Sequence, residues 1–278
     1  MAIVTFTTDF GSNSSDLAVL KGSLMRQVPG VQLVDIAHGV KKFDIVEAAF
    51  HLRKVMSHFP PGTIHMVGVR STATSEHPHR VVGIKGCFVI AADTGVFSLI
   101  DDGEPDEIRD LHPIPDEDMK WPTFPELESF VPAVVHLAQG GMLANLGTPA
   151  DSLVPVKSKM PRVDSNAIIG EVIHVDNYGN AITNISRDML MEAAGTRPIL
   201  IHLRSSRMEI RTIHRQYADV PVGERVAVFN HLGLLEIAMN NHQVPGGHGG
   251  ADSLLGLKRG TAIRISIGEA APEPGFFS

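Results

Sequence analysis

Apolar positions in the first hundred residues come in short β-rich runs separated by helical stripes. Ile3 to Thr7, Gln32 to Ile36, Thr63 to Val69, Val81 to Lys85 and Cys87 to Ala92 read as strands. Two helical patterns divide the first three. One begins near Asp16, after the capping-prone Ser12 to Ser15, aligns Leu17, Leu20, Leu24 and Met25, and stops at Pro29-Gly30. The other runs from about Asp44 to Ser57, with Ile45, Ala48, Ala49, Leu52 and Met56 as its stripe. Strand-helix-strand-helix-strand order predicts an α/β domain with a largely parallel sheet, whose ligands sit beyond the carboxyl ends of the strands.

The pattern then changes. Asp101 to Pro125 is acidic and proline-rich, a candidate lid, and a helix is expected over Ser129 to Leu143. Thr148 to Asp164 carries Pro149, Pro155 and Pro161 and weak periodicity, so the expected division is residues 1–150, a linker at 151–164 and a second domain at 165–278. Ile168 to Val175, Ala181 to Ile185, Ile199 to Leu203, Met208 to Ile213, Arg225 to Phe229, Leu234 to Ala238 and Thr261 to Ile267 are short strand runs, making the second half mainly β.

Composition narrows the function classes. A net charge of −7 and no basic run longer than Lys41-Lys42 give no footprint for nucleic acid or an acidic membrane surface. No apolar stretch approaches the roughly 20 residues that span a bilayer. That leaves a small molecule or a protein as the expected partner; Met1 to Phe10 enters a strand-like run without a signal-peptide pattern, and Cys87 is the single cysteine, so a cytoplasmic protein is expected. The histidines, His77, His79, His242 and His248 among them, show no metalloprotease spacing, and no metal site is predicted. Gly246 to Gly250 is followed by no Lys-Ser or Lys-Thr pair and reads as a flexible insertion.

Three polar segments carry candidate chemistry. Thr7-Thr8-Asp9-Phe10-Gly11 places a carboxylate at the exit of the first strand, where it serves either a sugar's vicinal hydroxyls or a turn. Asp176 to Asn180, followed by Thr183-Asn184, sets amides and hydroxyls between two strands. Asn230-His231-Leu232-Gly233 precedes the strand ending in Met239, Asn240 and Asn241. The last two segments also suit ordinary hairpin turns.

In order, these segments resemble the S-adenosylmethionine adenosyltransferase family of hydrolases and halogenases. Thr-Thr-Asp-Phe-Gly with Lys21-Gly22, Val34 to His38, Phe43-Asp44-Ile45, Gly62 to His65, Ala91 to Gly95, Asp176 to Ile185 and Asn230 to Asn240 carry the likeness, from Thr7 to about Ile267. The resemblance implies a β-barrel-like second domain and a homotrimer, with a nucleoside held between one subunit's first domain and its neighbour's second. It assigns the ribose hydroxyls to Asp9, with Ser14 and Asp16 at further ribose-side positions, and a pocket wall to Phe43. Asn180 and Met239 to Asn241 fall at the adenine, while Asp176 and His231, with the adjoining Tyr178 and Leu232, fall at the amino-acid end. S-adenosylmethionine enters as substrate or ligand, and no other cofactor is implied.

The reactive corner departs from the family. Arg70 stands at the place of an aspartate, His77 at that of an arginine, and Pro125 at that of a histidine, with Glu126 next to it. A guanidinium stays protonated at physiological pH and cannot serve as a general base. The resemblance implies an enzyme attacking the ribose 5′ carbon of S-adenosylmethionine, with Arg70, His77 and Glu126 as candidate catalytic residues; the alternatives are a homologue that keeps the adenosine site without catalysis, or an enzyme on an anionic 5′-substituted adenosine. Arg70 suits an anionic ligand group or nucleophile, and equally an outward or Glu126-paired structural arginine.

Overall fold

The computed structural model describes residues 1–101, 103–112, 118, 120–121, 123–203, 208–240 and 249–268. Asn241, His242, Gly246 to His248 and parts of the Asp101 to Pro125 excursion fall outside the described residues. The chain divides into two compact units, Met1–Ser158 and Lys159–Ser278.

In the first unit β1 (Ile3–Thr8), α1 (Ser15–Gln27), β2 (Gln32–Ala37), α2 (Ile45–Met56) and β3 (Ile64–Gly68) follow the predicted alternation. They are joined by β4 (His79–Ile84), β5 (Cys87–Ala92), α3 (Val96–Ile100), β6 (Glu107–Leu111), α4 (Val131–Ala138) and β7 (Gly147–Pro149). The sheet order is β2-β1-β3-β5-β4-β6-β7. Only the β2-β1-β3-β5 part is parallel. β4 turns back on β5 through Lys85-Gly86, both at positive φ, and β6 and β7 continue antiparallel, so the sheet is mixed rather than largely parallel. A two-residue turn leaves no room for the crossover that a parallel pair requires.

Hydrophobic burial covers both sheet faces. Val4, Phe6, Leu20, Leu24, Met66 and Phe130 pack on one side, and Leu52, Val67, Val89 and Phe97 on the other. The expected helix over Ser129 to Leu143 is instead a π-helical turn, Glu126–Phe130, running into α4, which ends before Gly140-Gly141. Residues 151–156 are bound into this unit: Asp93, fully buried, takes Arg80 Nη1 at 2.5 Å and the Val154 N–H at 2.9 Å, and Val156 packs over Gly95.

The second unit comprises β8 (Arg162–Asp164), β9 (Ala167–Val175), β10 (Ala181–Ser186), α5 (Arg187–Ala194), β11 (Ile199–His202), β12 (Ile213–His214), β13 (Arg225–Phe229), β14 (Leu234–Met239), α6 (Ala251–Leu254) and β15 (Ala262–Ile267). Its order is β11-β15-β9-β10-β14-β13-β12, with β8 beside β9, an open half-barrel with β11 and β12 at the ends of the path. The run Met208 to Ile213 is not one strand: Ile210 bridges to Ile201, and β12 begins only at Ile213. Ile168, Ile185, Ile201, Leu235 and Ile265 belong to the unit's large hydrophobic core.

One buried histidine makes the first unit's stability pH-dependent. His65 of β3 is fully buried, bonds Thr5 Oγ1 at 2.7 Å and meets Phe59 edge-on, and burial lowers its pKa from 6.5 to about 4. The unfolded chain therefore takes up this proton first as the pH falls. Its contribution is complete above pH 6.5 and is lost progressively toward about 4. In His65→Gln, the fall in urea midpoint between pH 7 and pH 5 should be visibly shallower than in the unaltered protein; an unchanged slope would contradict this.

Candidate active site

The carboxyl ends of β1 and β3 gather the candidate residues of the first unit other than His77. Asp9, just beyond β1, accepts the Phe43 N–H on Oδ2 at 2.8 Å, so two predicted ligand contacts are joined through the β2–α2 loop. Gly11 N–H donates to the His38 carbonyl at 2.8 Å and fastens the same loop from the other side. Phe43 has φ 64° and Arg70 φ 51°, left-handed conformations that bulky residues rarely hold and that cluster at functional positions. Phe43 is 69% exposed, which leaves its ring available to a ligand. Ser14 caps α1 by accepting the Asp16 N–H, and its hydroxyl also donates to Asp16 Oδ2.

Glu126 lies beneath this edge. It is 2% exposed, and its side chain occupies the space that a Cβ on Gly68 would need: that atom would stand 3.0 Å from Oε1 and 3.3 Å from Thr8 Cγ2. The Ser71 hydroxyl donates to Glu126 Oε1. No ion pair among the described residues involves Glu126 or Arg70, so the alternative of an Arg70–Glu126 pair is not realised. Arg70 is exposed. Burial pushes the Glu126 carboxyl above the ordinary glutamate range; Ser71's hydrogen bond pulls it partly back, and the charges of Asp9 and Asp16 push it further up. The corner thus unites Asp9, Asp16 and Glu126 electrostatically.

His77 does not join them. Its Nδ1 lies 2.9 Å from the Asp93 carbonyl, and no hydrogen bond or ion pair among the described residues ties it to Glu126, Asp9 or Arg70. Two residues outside the candidate set complete the corner: Ser71, and His79, which contacts the Ser71 carbonyl and the Ser129 hydroxyl. Neither carries a local signal, since a serine after Arg70 and a histidine after Pro78 open a loop and a strand.

In the second unit Asp176 folds its own turn. Oδ1 accepts the N–H groups of Tyr178 and Asn180, both at 2.9 Å, and Oδ2 accepts Asn180 Nδ2 at 3.1 Å. Tyr178 is left 84% exposed. The other turn hangs on Asn230, whose Oδ1 accepts from Leu232 and Leu234 and whose Nδ2 reaches buried Glu236, itself bonded by the Tyr217 hydroxyl at 2.5 Å. Glu236 is the single charge in an apolar strand, a signal visible in the sequence. His231 is exposed, Leu232 and Met239 are half-buried, and Asn240 is buried with its Nδ2 on the Val220 carbonyl at 2.6 Å.

Residues 4–147 match the SAM hydroxide adenosyltransferase N-terminal domain, and residues 170–264 match the C-terminal domain of the same family. The chain belongs to that family. This SAM hydroxide adenosyltransferase homologue is 29% identical to an (R)-S-adenosyl-L-methionine hydrolase of Thermus thermophilus, over 95% of this chain and all of that protein. It is 26% identical to a fluorinase of Actinoplanes sp., over 86% of this chain and 91% of the fluorinase. A solved structure of an uncharacterized conserved protein from Thermotoga maritima superposes with TM-score 0.82 at 28% identity, covering 94% of this chain and 99% of that one. Among the described residues of this family member, no helix is long and apolar enough to cross a membrane.

The buried carboxyl fixes a sign for stability. A glutamate whose proton affinity is raised by folding favours the folded state least at high pH, because the unfolded chain ionises freely while the folded one resists. Stability is lost as pH climbs from the ordinary glutamate range through the raised value. Glu126→Gln, which still accepts from Ser71, should melt roughly 2–4 °C higher at pH 8, the shift that about 1 kcal/mol produces in a chain of about this size, and the gap should close near pH 4. Calorimetry giving a lower melting temperature at pH 8 would contradict the assignment.

Proposed function

We propose that this protein is an S-adenosylmethionine adenosyltransferase of the hydrolytic type, in which water displaces methionine from the ribose 5′ carbon. Its relative that hydrolyses S-adenosyl-L-methionine supports the substrate, and adenosyl transfer in the family supports attack at the ribose 5′ carbon. The observation that carries the hydrolytic reading is Glu126: a carboxyl 2% exposed, bonded by Ser71 and raised in proton affinity at the carboxyl ends of β1 and β3.

The step balances without an added reactant. A water oxygen attacks the 5′ carbon in line, the carbon–sulfur bond breaks, and its electron pair returns to sulfur, giving methionine and adenosine. The water's surplus proton passes to the Glu126 carboxylate. Raised proton affinity makes Glu126 a stronger base than an ordinary glutamate, provided the working pH leaves it ionised. The negative charges of Asp9 and Asp16 favour the sulfonium cation electrostatically and offset repulsion from Arg70. Asp9 takes the ribose hydroxyls, and its bond to the Phe43 main chain couples that contact to the exposed ring. Asp176, Tyr178, Asn180, His231, Leu232, Met239, Asn240 and Asn241 complete the ligand contacts, with the nucleoside between neighbouring copies of a homotrimer. Light scattering should accordingly give three times the chain mass; a monomer at micromolar concentration would oppose the shared-site arrangement.

Chromatography of S-adenosylmethionine incubated with the protein should show adenosine and methionine in equal amounts. Glu126→Gln should lower kcat by about 10²- to 10⁴-fold, the usual range for losing an acid–base group, with KM changed less than about threefold. Asp9→Ala should instead raise KM or abolish binding. Binding without turnover in the unaltered protein would make this a nucleoside-binding homologue and end the catalytic reading.

Arg70 supports a second substrate reading. It is exposed, held on left-handed backbone and without an acidic partner among the described residues, which suits a phosphate or carboxylate on a 5′-substituted adenosine. Arg70→Ala should then weaken adenosine 5′-monophosphate at least tenfold more than adenosine in calorimetric titration; equal weakening would dismiss that reading.

A further inference from the structure

A series of contacts starts at Ser129 and ends at Glu126, both on the π-helical turn Glu126–Phe130, so that the turn closes it into a ring. The Ser129 hydroxyl stands 2.9 Å from His79 Nδ1, His79 Nε2 stands 2.7 Å from the Ser71 carbonyl, and the Ser71 hydroxyl donates to Glu126. A carbonyl oxygen only accepts, so Nε2 bears the proton and Nδ1 accepts from Ser129. The imidazole also meets the Phe130 ring edge-on, with centroids 4.9 Å apart. Each of the three hydrogen bonds thereby joins a donor to an acceptor.

We propose that His79 is a positioning residue for Glu126: by pinning the Ser71 main chain to the turn that carries the carboxyl, it holds the Ser71 hydroxyl on Glu126 and so directs it, without touching the substrate. Ser71 opens the loop between β3 and β4 and follows Arg70, whose φ of 51° is unfavourable for an arginine. Untethered, such a loop start would sample other conformations, and the hydroxyl would meet the carboxyl only part of the time. The π turn is a further sign, because this geometry is rare and is frequently found at functional sites. The charged groups acting on Glu126 are Asp9 beyond β1 and Asp16 on α1, which oppose its ionisation, whereas Ser71 favours it. Burial keeps His79 neutral near pH 7 by lowering its pKa, while the Ser71 carbonyl works in the opposite sense.

The functional consequence rests on reading Glu126 as the proton acceptor, and one experiment separates the two claims. In full-length protein with ¹³C-labelled glutamate side chains, the Glu126 carboxyl resonance is assigned by its absence in Glu126→Gln and titrated. His79→Ala should raise its midpoint by at least half a pH unit, toward that of Ser71→Ala, and the double variant should go no higher. His79→Gln, whose amide N–H reaches the place of Nε2, should restore most of the original value. Ser129→Ala, which removes one hydroxyl and spares the fold, should move it the same way by less. Midpoints unchanged in both His79→Ala and Ser129→Ala would overturn the proposal. Midpoints that move while the acid limb of kcat stays still would uphold His79's role and refute Glu126 as the acceptor.

Discussion

A buried carboxyl that forms no ion pair among the described residues is the constraint around which the first unit's corner is arranged. Ionising Glu126 in place is costly, because a charge taken from water needs a counter-ion or several hydrogen bonds, and here it has the Ser71 hydroxyl and two like charges nearby. Gly68 leaves the side chain room, the π turn delivers it, and the loop after Arg70 supplies its donor. Carboxyls buried and perturbed in this way cluster at functional sites, which supports the role proposed for Glu126.

Polar side chains organise the remaining candidate loops by the same local rule: each ties down the backbone that presents its neighbours. Asp9 holds Phe43, Asp176 closes its own turn around Tyr178, and Asn230 fixes the backbone of Leu232 and Leu234 while leaning on Glu236. The exposed members, Phe43, Tyr178 and His231, are left on rigid supports. Rigid presentation lowers the ordering cost when a ligand arrives.

Periodicity made the β1-α1-β2-α2-β3 succession and most strands of the second unit legible, because each alternates apolar and polar positions or carries a helical stripe. It could not show strand direction. Val81 to Lys85 and Cys87 to Ala92 look alike in either orientation, and only the tightness of Lys85-Gly86 betrays a hairpin. The π turn was hidden since its residues suit an ordinary helix start, and β6, β7 and β12 were too short or too polar to stand out. In the candidate site, Asp9 and Phe43 stood at motif positions, and Glu126 stood out as a departure from the family pattern beside Pro125. Ser71 and His79 were not, as their roles come from contacts 55 and 50 residues away along the chain.

Isotope incorporation from solvent tests the central claim, that water activated beside a buried carboxyl attacks the 5′ carbon. When the protein turns over S-adenosylmethionine in H₂¹⁸O, mass spectrometry should find adenosine carrying one ¹⁸O at its 5′ hydroxyl and methionine carrying none. Unlabelled adenosine, or a product bearing another nucleophile at that carbon, would contradict the account.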